Sequence, residues 1–164
     1  MDELLKELAA TPRTLAHLVV EASEEALNRA PAGEWPVRTI LAHLRDDEYM
    51  VMRMRLARML SEDKPLFTDF DEKSWAVNRN RARDRKEELL GDFALQRQAT
   101  LNMLANLRPG DELRAGRHEA YGEYTVGSWI EHWVEHDRVH IAQIEGMLGE
   151  TLASIMERRA QERD

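Results

Sequence analysis

The stretch TVGSWIEHWVEHDRVHIAQIEGMLG, residues 125–149, decides the fold because it has the pattern of one long amphipathic helix. Thr125 is suited to the N-cap position, and Gly149 is suited to the left-handed residue that ends many helices. At roughly 100° per residue, the apolar side chains of the stretch fall on a single stripe. The stripe contains Val126, Ile130, Trp133, Ile144 and Met147, with Asp137 among them. This pattern predicts a helix that packs one face against a core.

Apolar residues at helical spacing predict further helices on both sides of this one. The predicted segments are 2–22, a short helix at 23–28 capped by Ser23, 36–60, 84–107 and 151–161. Pro12 predicts either a bend in the first segment or a new first turn capped by Thr11. Glycines punctuate a long connection at 108–124, and we find no stretch with the alternation typical of a strand. The polar connector 71–83 has no predicted structure.

Four long helices joined by connections of uneven length predict an all-α four-helix bundle, with short extra helices and a C-terminal helical tail. A hydrophobic share of 43% beside 33% charged residues fits helices with one buried and one solvated face. A length of 164 residues is that of one ordinary domain, so we expect residues 1–164 to form a single domain.

Charge and composition exclude several classes of function. The chain has 23 Lys and Arg against 31 Asp and Glu, and the net charge of -8 argues against a nucleic-acid partner. It has no cysteine, which excludes disulfides, thiolate metal ligands and a cysteine nucleophile. No apolar stretch approaches the roughly 20 residues that cross a bilayer, and the acidic start MDELLKELAA differs from a signal peptide. We therefore expect a cytoplasmic protein, mature as written, without membrane contact.

Three histidines lie one turn apart in the long helix, and neighbouring pairs can share a metal ion. Residues at i and i+4 lie on the same face of a helix, a spacing that both His132/His136 and His136/His140 have. In projection, His140 lies within the apolar stripe, His136 at its edge and His132 further toward solvent. Periodicity therefore favours His136 and His140 as the inward-facing pair, and leaves metal binding and ordinary hydrogen bonding both open for it.

The segment 36–60 brings further polar groups to a buried face. Its predicted stripe is Ile40, Leu44, Val51 and Met54. His43 and Asp47 lie on or beside it, and burying either without a partner costs on the order of 1 to 3 kcal/mol. Each should therefore meet a metal ion or a hydrogen-bonded network, and a single histidine such as His43 is more often a hydrogen-bonded core residue than a ligand. His118 is expected at the surface or in a loop.

Two segments resemble one known family. EWPVRTILAHLRDDE, at 34–48, is similar to the second-helix signature of the DinB-like superfamily, and HDRVHIAQIEGML, at 136–148, resembles its last core helix. The connector DEKSWAVNRN and the stretch RHEAYGEYTVGSWIEHW also resemble one DinB-like subgroup, so the similarity covers most of the chain. The superfamily includes the YfiT-like proteins and the mycothiol-dependent maleylpyruvate isomerases. The order and separation of the motifs are more specific than any one of them.

The resemblance implies a DinB-like four-helix bundle, often a homodimer, with a divalent metal ion held by three histidines at one end. The residues that match the ligand positions are His43, His136 and His140. His132 does not match a ligand position. Three protein ligands leave positions open for water or substrate, as in catalytic sites, and zinc or nickel suits the site best, with iron or manganese as further candidates. The neighbours close enough to orient the ligands are Asp47, Asp137 and Gln143.

The resemblance implies an enzyme for which two kinds of reaction are open. Some relatives use the metal ion to activate a low-molecular-weight thiol for transfer or isomerisation, and others are called metal-dependent hydrolases. The ion lowers the pKa of a bound thiol or water, and Asp47 or Glu48 is placed to accept the proton. The expected partner is a small-molecule substrate or a thiol. The alternative is a non-catalytic, metal-binding, dimeric module with a stress-associated interaction role, in which the metal site is structural.

Overall fold

The computed structural model of the protein describes residues 1–69 and 84–162, so the connector 71–83 lies outside the described residues. Its helices are α1 (Asp2–Val19), α2 (Glu24–Asn28), α3 (Val37–Asp47), α4 (Met54–Ser61), α5 (Lys86–Ala105), α6 (Val126–Leu148) and α7 (Leu152–Gln161). A π-helical turn, Glu48–Arg53, joins α3 to α4, and a 3-10 turn, Asp111–Leu113, precedes the sheet described below. Among the described helices, none is both long enough and apolar enough to cross a membrane.

The four-helix bundle that the sequence predicts is confirmed. α1 packs against α5 and α6, and α3 packs against the same two helices. α6 begins at Thr125, whose side chain accepts a hydrogen bond from the Ser128 N–H, and ends at Gly149 in the left-handed conformation. Ser23 and Thr151 cap α2 and α7 in the same way. The predicted helix ends are correct here because local capping chemistry sets them.

Two apolar clusters form the core of the bundle. The first includes Leu15, Leu18, Ile40, Leu44, Leu89, Phe93 and Ile144. The second includes Leu8, Val51, Leu56, Leu104, Ile130 and Trp133. Along every long helix, a buried polar residue lies between the members of the two clusters. These residues are Thr11, Glu48, Arg97, Thr100 and Asp137, which we call the polar layer. Buried polar groups of this kind need partners, and the helices must therefore pack in one register.

α1 runs through Pro12 as one helix, so the predicted new first turn capped by Thr11 is wrong. The Thr11 hydroxyl instead donates to Asp137 Oδ2 at 2.7 Å. Pro12 has no N–H to donate to the Leu8 carbonyl four residues earlier. Arg97 Nη1 donates to that carbonyl at 2.8 Å. A contact from another helix thus replaces the hydrogen bond that proline removes.

The π-helical turn changes which side chains of α4 are buried. Constant α-helical periodicity predicted Met54 on the buried face, but Met54 is 41% exposed, whereas Arg55, Leu56 and Met59 are buried. A π turn closes hydrogen bonds over one more residue than an α turn, so the side chains that follow it are displaced by about one position. The prediction for Met54 is wrong for this reason.

A small sheet joins the predicted long connection to the segment that follows α4. Strands β1 (Leu66–Phe67), β2 (Ala115–His118) and β3 (Gly122–Thr125) pair in that order, β1 with β2 in parallel and β2 with β3 antiparallel. The expectation of no strand is therefore wrong. Strands of two to four residues are too short to show alternation, so the sequence pattern does not reveal them. The sheet packs against α4 through β2 and leads directly into the first turn of α6.

His118 is buried rather than at the surface as expected. It ends β2 and is 1% exposed. Its Nδ1 accepts a hydrogen bond from the Ala120 N–H at 3.1 Å, and its Nε2 lies 3.3 Å from Arg55 Nη2. The residue looked like a loop histidine because the pairing of β1 with β2, which covers it, joins segments about 50 residues apart.

Gly116 lies where β2 passes the Phe67 ring. A Cβ at this position would overlap the ring and lie 3.1 Å from Met59 Cγ, and the ring is itself buried and stacked on Tyr124. We expect Gly116→Ala to lower the free energy of unfolding by about 1–3 kcal/mol, measured by urea denaturation. Gly91→Ala on α5 is the matched control, since nothing lies within 4 Å of a Cβ there. The control should gain about 0.5–1 kcal/mol, and equal stabilities of the two variants would contradict the packing argument.

Candidate metal centre

Three histidines from two helices meet inside the bundle. They are His43 on α3 and His136 and His140 on α6, and one nitrogen from each lies within 4.8 Å of the other two. His43 Nε2 and His136 Nε2 are 3.2 Å apart. The ring centroids of all three pairs are 4.5 to 5.2 Å apart. The structure therefore brings together the three residues that the sequence singled out.

Helical spacing explains why these side chains and not their neighbour form the cluster. His136 and His140 are four residues apart on α6 and project from one face toward α3. His43 is 3% exposed, and the edge of its ring packs against Trp35 at a centroid distance of 5.1 Å. His132, one turn earlier on α6, stacks on Trp129 instead. The inward-facing pair favoured by periodicity is therefore the pair that meets His43.

The distance between His43 and His136 fits a shared metal ion. Two nitrogens that each bind zinc at 2.0–2.1 Å in tetrahedral geometry are about 3.3 Å apart, close to the 3.2 Å between His43 Nε2 and His136 Nε2. His140 Nδ1 lies 2.7 Å from Gln143 Oε1. Because an amide oxygen only accepts, this contact places the proton of His140 on Nδ1 and leaves the Nε2 lone pair for a ligand bond.

Burial keeps His136 and His140 neutral. Desolvation, followed by the neighbouring charges of His140 and His43, lowers the pKa of His136 to about 2. Desolvation also lowers the pKa of His140, against a smaller opposing effect of the hydrogen bond to Gln143. A metal ligand must offer an unprotonated nitrogen, so protons do not compete for these two side chains near neutral pH.

Asp47 is the acidic neighbour of the cluster. Its carboxyl group is 3% exposed, with Oδ1 3.6 Å from His43 Nδ1 and Oδ2 3.8 Å from His136 Nε2. It follows His43 by one helical turn, so both side chains project from the same face of α3. Asp47 therefore lies where a carboxylate can orient the histidines or accept a proton beside them.

Glu48, the other predicted proton acceptor, has a different environment. Its two carboxylate oxygens accept hydrogen bonds from Arg97 at 3.0 and 2.9 Å, from Thr100 at 2.6 Å and from the Trp133 indole at 3.1 Å. Asp137, predicted to orient the ligands, belongs to the same network through Arg97. The structure therefore places Glu48 and Asp137 in the polar layer and leaves Asp47 as the acid beside the histidines.

A pocket of about 770 Å³ gives access to the cluster. Its wall is formed by Pro31, Gly33, Glu34, Trp35, Ile40, His140, Gln143, Gly146 and Met147. One side comes from the connection before α3, and the other from the C-terminal half of α6. Trp35 lines the pocket and contacts the His43 ring, and His140 belongs to both the pocket and the cluster. The size is within the usual range for a small-molecule site.

The fold and the site define a helical bundle with a histidine cluster between two of its helices. The chain belongs to the DinB superfamily, whose model matches residues 7–144. The family resemblance seen in the sequence motifs is therefore confirmed.

Two of three similar proteins carry names related to metal chemistry. A protein of Oceanobacillus iheyensis named "Putative metal-dependent hydrolase" is 28% identical over 156 residues, covering 88% of this chain and 83% of that protein. The uncharacterized protein YuaE of Bacillus subtilis is 26% identical over 137 residues, covering 74% and 83%. The structure of YfiT from Bacillus subtilis, called "a probable metal-dependent hydrolase with an unusual four-helix bundle topology", matches with a TM-score of 0.77 at 22% identity, covering 92% of this chain and 88% of that chain. At this identity, the YfiT likeness supports the fold alone.

Proposed function

We propose that the protein is a hydrolase of small molecules that depends on a divalent metal ion held by His43, His136 and His140. The observation that carries the proposal is the convergence of three ring nitrogens within 4.8 Å, with one of the three residues, His140, also lining an open pocket. The names of the relatives from Oceanobacillus iheyensis support the same class of reaction. Zinc or nickel fits three nitrogen ligands best, with iron or manganese as alternatives.

The residues around the cluster have separate roles in the proposed reaction. A divalent ion bound there lowers the pKa of water and polarises a substrate oxygen. Asp47 is placed to accept a proton at its Oδ2 atom, on the side facing His136. Gln143 fixes the ring of His140, and Trp35 and Met147 give the substrate an apolar wall that excludes water.

Activation of a low-molecular-weight thiol is the second reaction that this site supports. The chain has no cysteine, so a thiol nucleophile must come from a second substrate. The pocket volume is large enough for such a molecule beside the cluster. The acceptor of the thiol proton would again be Asp47.

Metal content and turnover test the proposal together. Protein purified without a His-tag is loaded with zinc or nickel, dialysed and measured by elemental analysis, beside His43→Ala, His140→Ala and the control His132→Ala. We expect about one ion per chain in the natural protein and the control, and loss of the ion in the other two. p-Nitrophenyl acetate and p-nitrophenyl phosphate probe hydrolysis, and L-cysteine with chlorodinitrobenzene probes thiol transfer.

The effect of a chelator distinguishes the alternatives. Loss of hydrolysis with an unchanged circular dichroism spectrum supports the hydrolase, and loss of thiol transfer alone favours the second reaction. Unfolding on metal removal indicates a structural site in a non-catalytic module. Absence of metal from the loaded natural protein overturns the proposal.

Substitution of Gln143 tests whether its hydrogen bond to His140 supports metal binding. Gln143→Ala removes the acceptor that orients the His140 ring, so we expect zinc to bind about 10- to 100-fold more weakly. Competition with a chromogenic chelator measures the affinity. Gln98→Ala on α5 is the control, because Gln98 is exposed and donates to Asn102. Equal zinc affinity in the two variants would show that Gln143 does not support the ligand.

A further inference from the structure

The polar layer links all four long helices at the level of the histidine cluster. α1 contributes Thr11, the π-helical turn Glu48, α5 Arg97 and Thr100, and α6 Asp137. Glu48 directly follows Asp47, and Asp137 directly follows His136. The layer is therefore adjacent in sequence to the cluster on α6, through His136, and adjacent to Asp47, the acidic neighbour of the cluster, on the other helix.

Arg97 is the centre of this layer. It is 1% exposed, and its five N–H groups make five hydrogen bonds. Two go to the carboxylate of Glu48 at 3.0 and 2.9 Å, and two go to the carboxylate of Asp137 at 2.6 and 3.0 Å. The fifth goes to the Leu8 carbonyl at 2.8 Å. One side chain from α5 thus holds the other three helices at once.

Residues of α1 also help to fix the position of Arg97. Pro12 has no N–H for the Leu8 carbonyl, so this acceptor is available to another helix. The Thr11 hydroxyl beside it donates to Asp137, on the same carboxylate that Arg97 binds. These contacts limit movement of Arg97 and Asp137 relative to α1.

We propose that Arg97 is a positioning residue for the histidine cluster, because it fixes the spacing of the two helices that carry His43 and His136. Its guanidinium group binds both Glu48, the first residue of the π-helical turn, and Asp137, the residue after His136. The 3.2 Å between the two Nε2 atoms depends on that spacing. The inference rests on the proposed metal site and adds a residue that touches none of the histidines through a hydrogen bond in the described structure.

The substitution Arg97→Lys is the sharpest test. It keeps a positive charge but cannot bind two carboxylates with a planar fork. Arg53→Lys is the matched control, since Arg53 donates to the Gln96 carbonyl at 2.8 Å and to the Gln96 side chain, linking the π-helical turn to α5 only. Zinc affinity by chelator competition and the visible spectrum of the cobalt-loaded protein are measured where circular dichroism shows every variant folded.

We expect Arg97→Lys to weaken zinc binding by about 10-fold or more and to change the cobalt spectrum, while Arg53→Lys keeps both. Thr11→Val, which leaves Arg97 in place and removes one donor to Asp137, should shift the affinity in the same direction by less. It also provides the test if Arg97→Lys does not fold. Natural affinity and an unchanged cobalt spectrum in folded Arg97→Lys, or in Thr11→Val where that variant is the one tested, would overturn the positioning role.

If the natural protein binds no metal, the positioning role of Arg97 is tested separately from the proposed function. Absence of zinc and cobalt from the natural protein overturns the proposed function, and the histidine ring ¹⁵N signals in NMR spectra then report on positioning. Displaced signals of His43 and His136 in Arg97→Lys, with unchanged signals in Arg53→Lys, support the role of Arg97. Unchanged signals in both variants refute it.

Discussion

In the metal-free protein, the free energy of unfolding is expected to fall by about 1.4 kcal/mol for each pH unit below 6.5, through His136 alone. The pKa of this residue is about 2 in the folded chain and 6.5 in the unfolded chain. Between these values the unfolded state binds a proton that the folded state excludes, so acid favours unfolding. The stability is fully present above pH 6.5 and decreases as the pH falls toward 2. His140, whose pKa is also lowered, acts in the same direction.

Urea denaturation of the chelator-treated protein between pH 7.5 and 4.5 measures this slope. Two pH units below 6.5 correspond to a loss of about 2.7 kcal/mol from His136. His136→Gln removes the titrating ring, so its stability should depend on pH less steeply by about 1.4 kcal/mol per unit. Parallel curves for the two proteins would show that His136 does not stay neutral in the folded chain.

Local signals in the sequence were sufficient for the helices and for the inward-facing pair His136 and His140, whereas the family resemblance implied His43 as the third member of the cluster. Thr125 and Gly149 determine the ends of α6 through their own hydrogen bonding and backbone preference, which do not depend on other helices. The periodicity of α6 distinguished His136 and His140 from His132 because α6 is a regular helix. Both inferences used interactions within one turn of the chain.

Features that depend on contacts between helices were missed. Met54 was misplaced because the π-helical turn interrupts the periodicity, and nothing in the local residues marks that turn. Arg97 was missed although it stands four residues after Phe93 and seven before Leu104, on the buried stripe of α5. A charged residue at such a position indicates a buried ion pair. Its partners, Glu48 and Asp137, belong to other helices, so sequence spacing alone could not identify them.

Arg97→Met is expected to lower the free energy of unfolding by about 3–5 kcal/mol, because it leaves two buried carboxylates without their cation. Burial pulls the pKa of Arg97 down, but Asp137 and Glu48 raise it above its ordinary value, so the side chain is charged in the folded protein. Methionine fills much of the same volume and makes no hydrogen bond. Urea denaturation at pH 7.5 measures the difference in the free energy of unfolding. Arg53→Met is the control, because it removes the hydrogen bonds of a partly exposed arginine.

The sign of the stability change caused by a pair of substitutions shows whether charge or packing explains the loss in Arg97→Met. Glu48→Gln with Asp137→Asn removes both negative charges and leaves one oxygen acceptor on each side chain. The Thr11 hydroxyl keeps its acceptor, and position 48 keeps one for either Thr100 or the Trp133 indole, which donate to different oxygens of Glu48. In the natural protein this pair should be destabilising, since Arg97 then loses its counter-charges. In the Arg97→Met background the same pair should be stabilising, because no unpaired carboxylate remains buried. If the pair is destabilising in both backgrounds, the loss in Arg97→Met comes from packing and not from the buried charges.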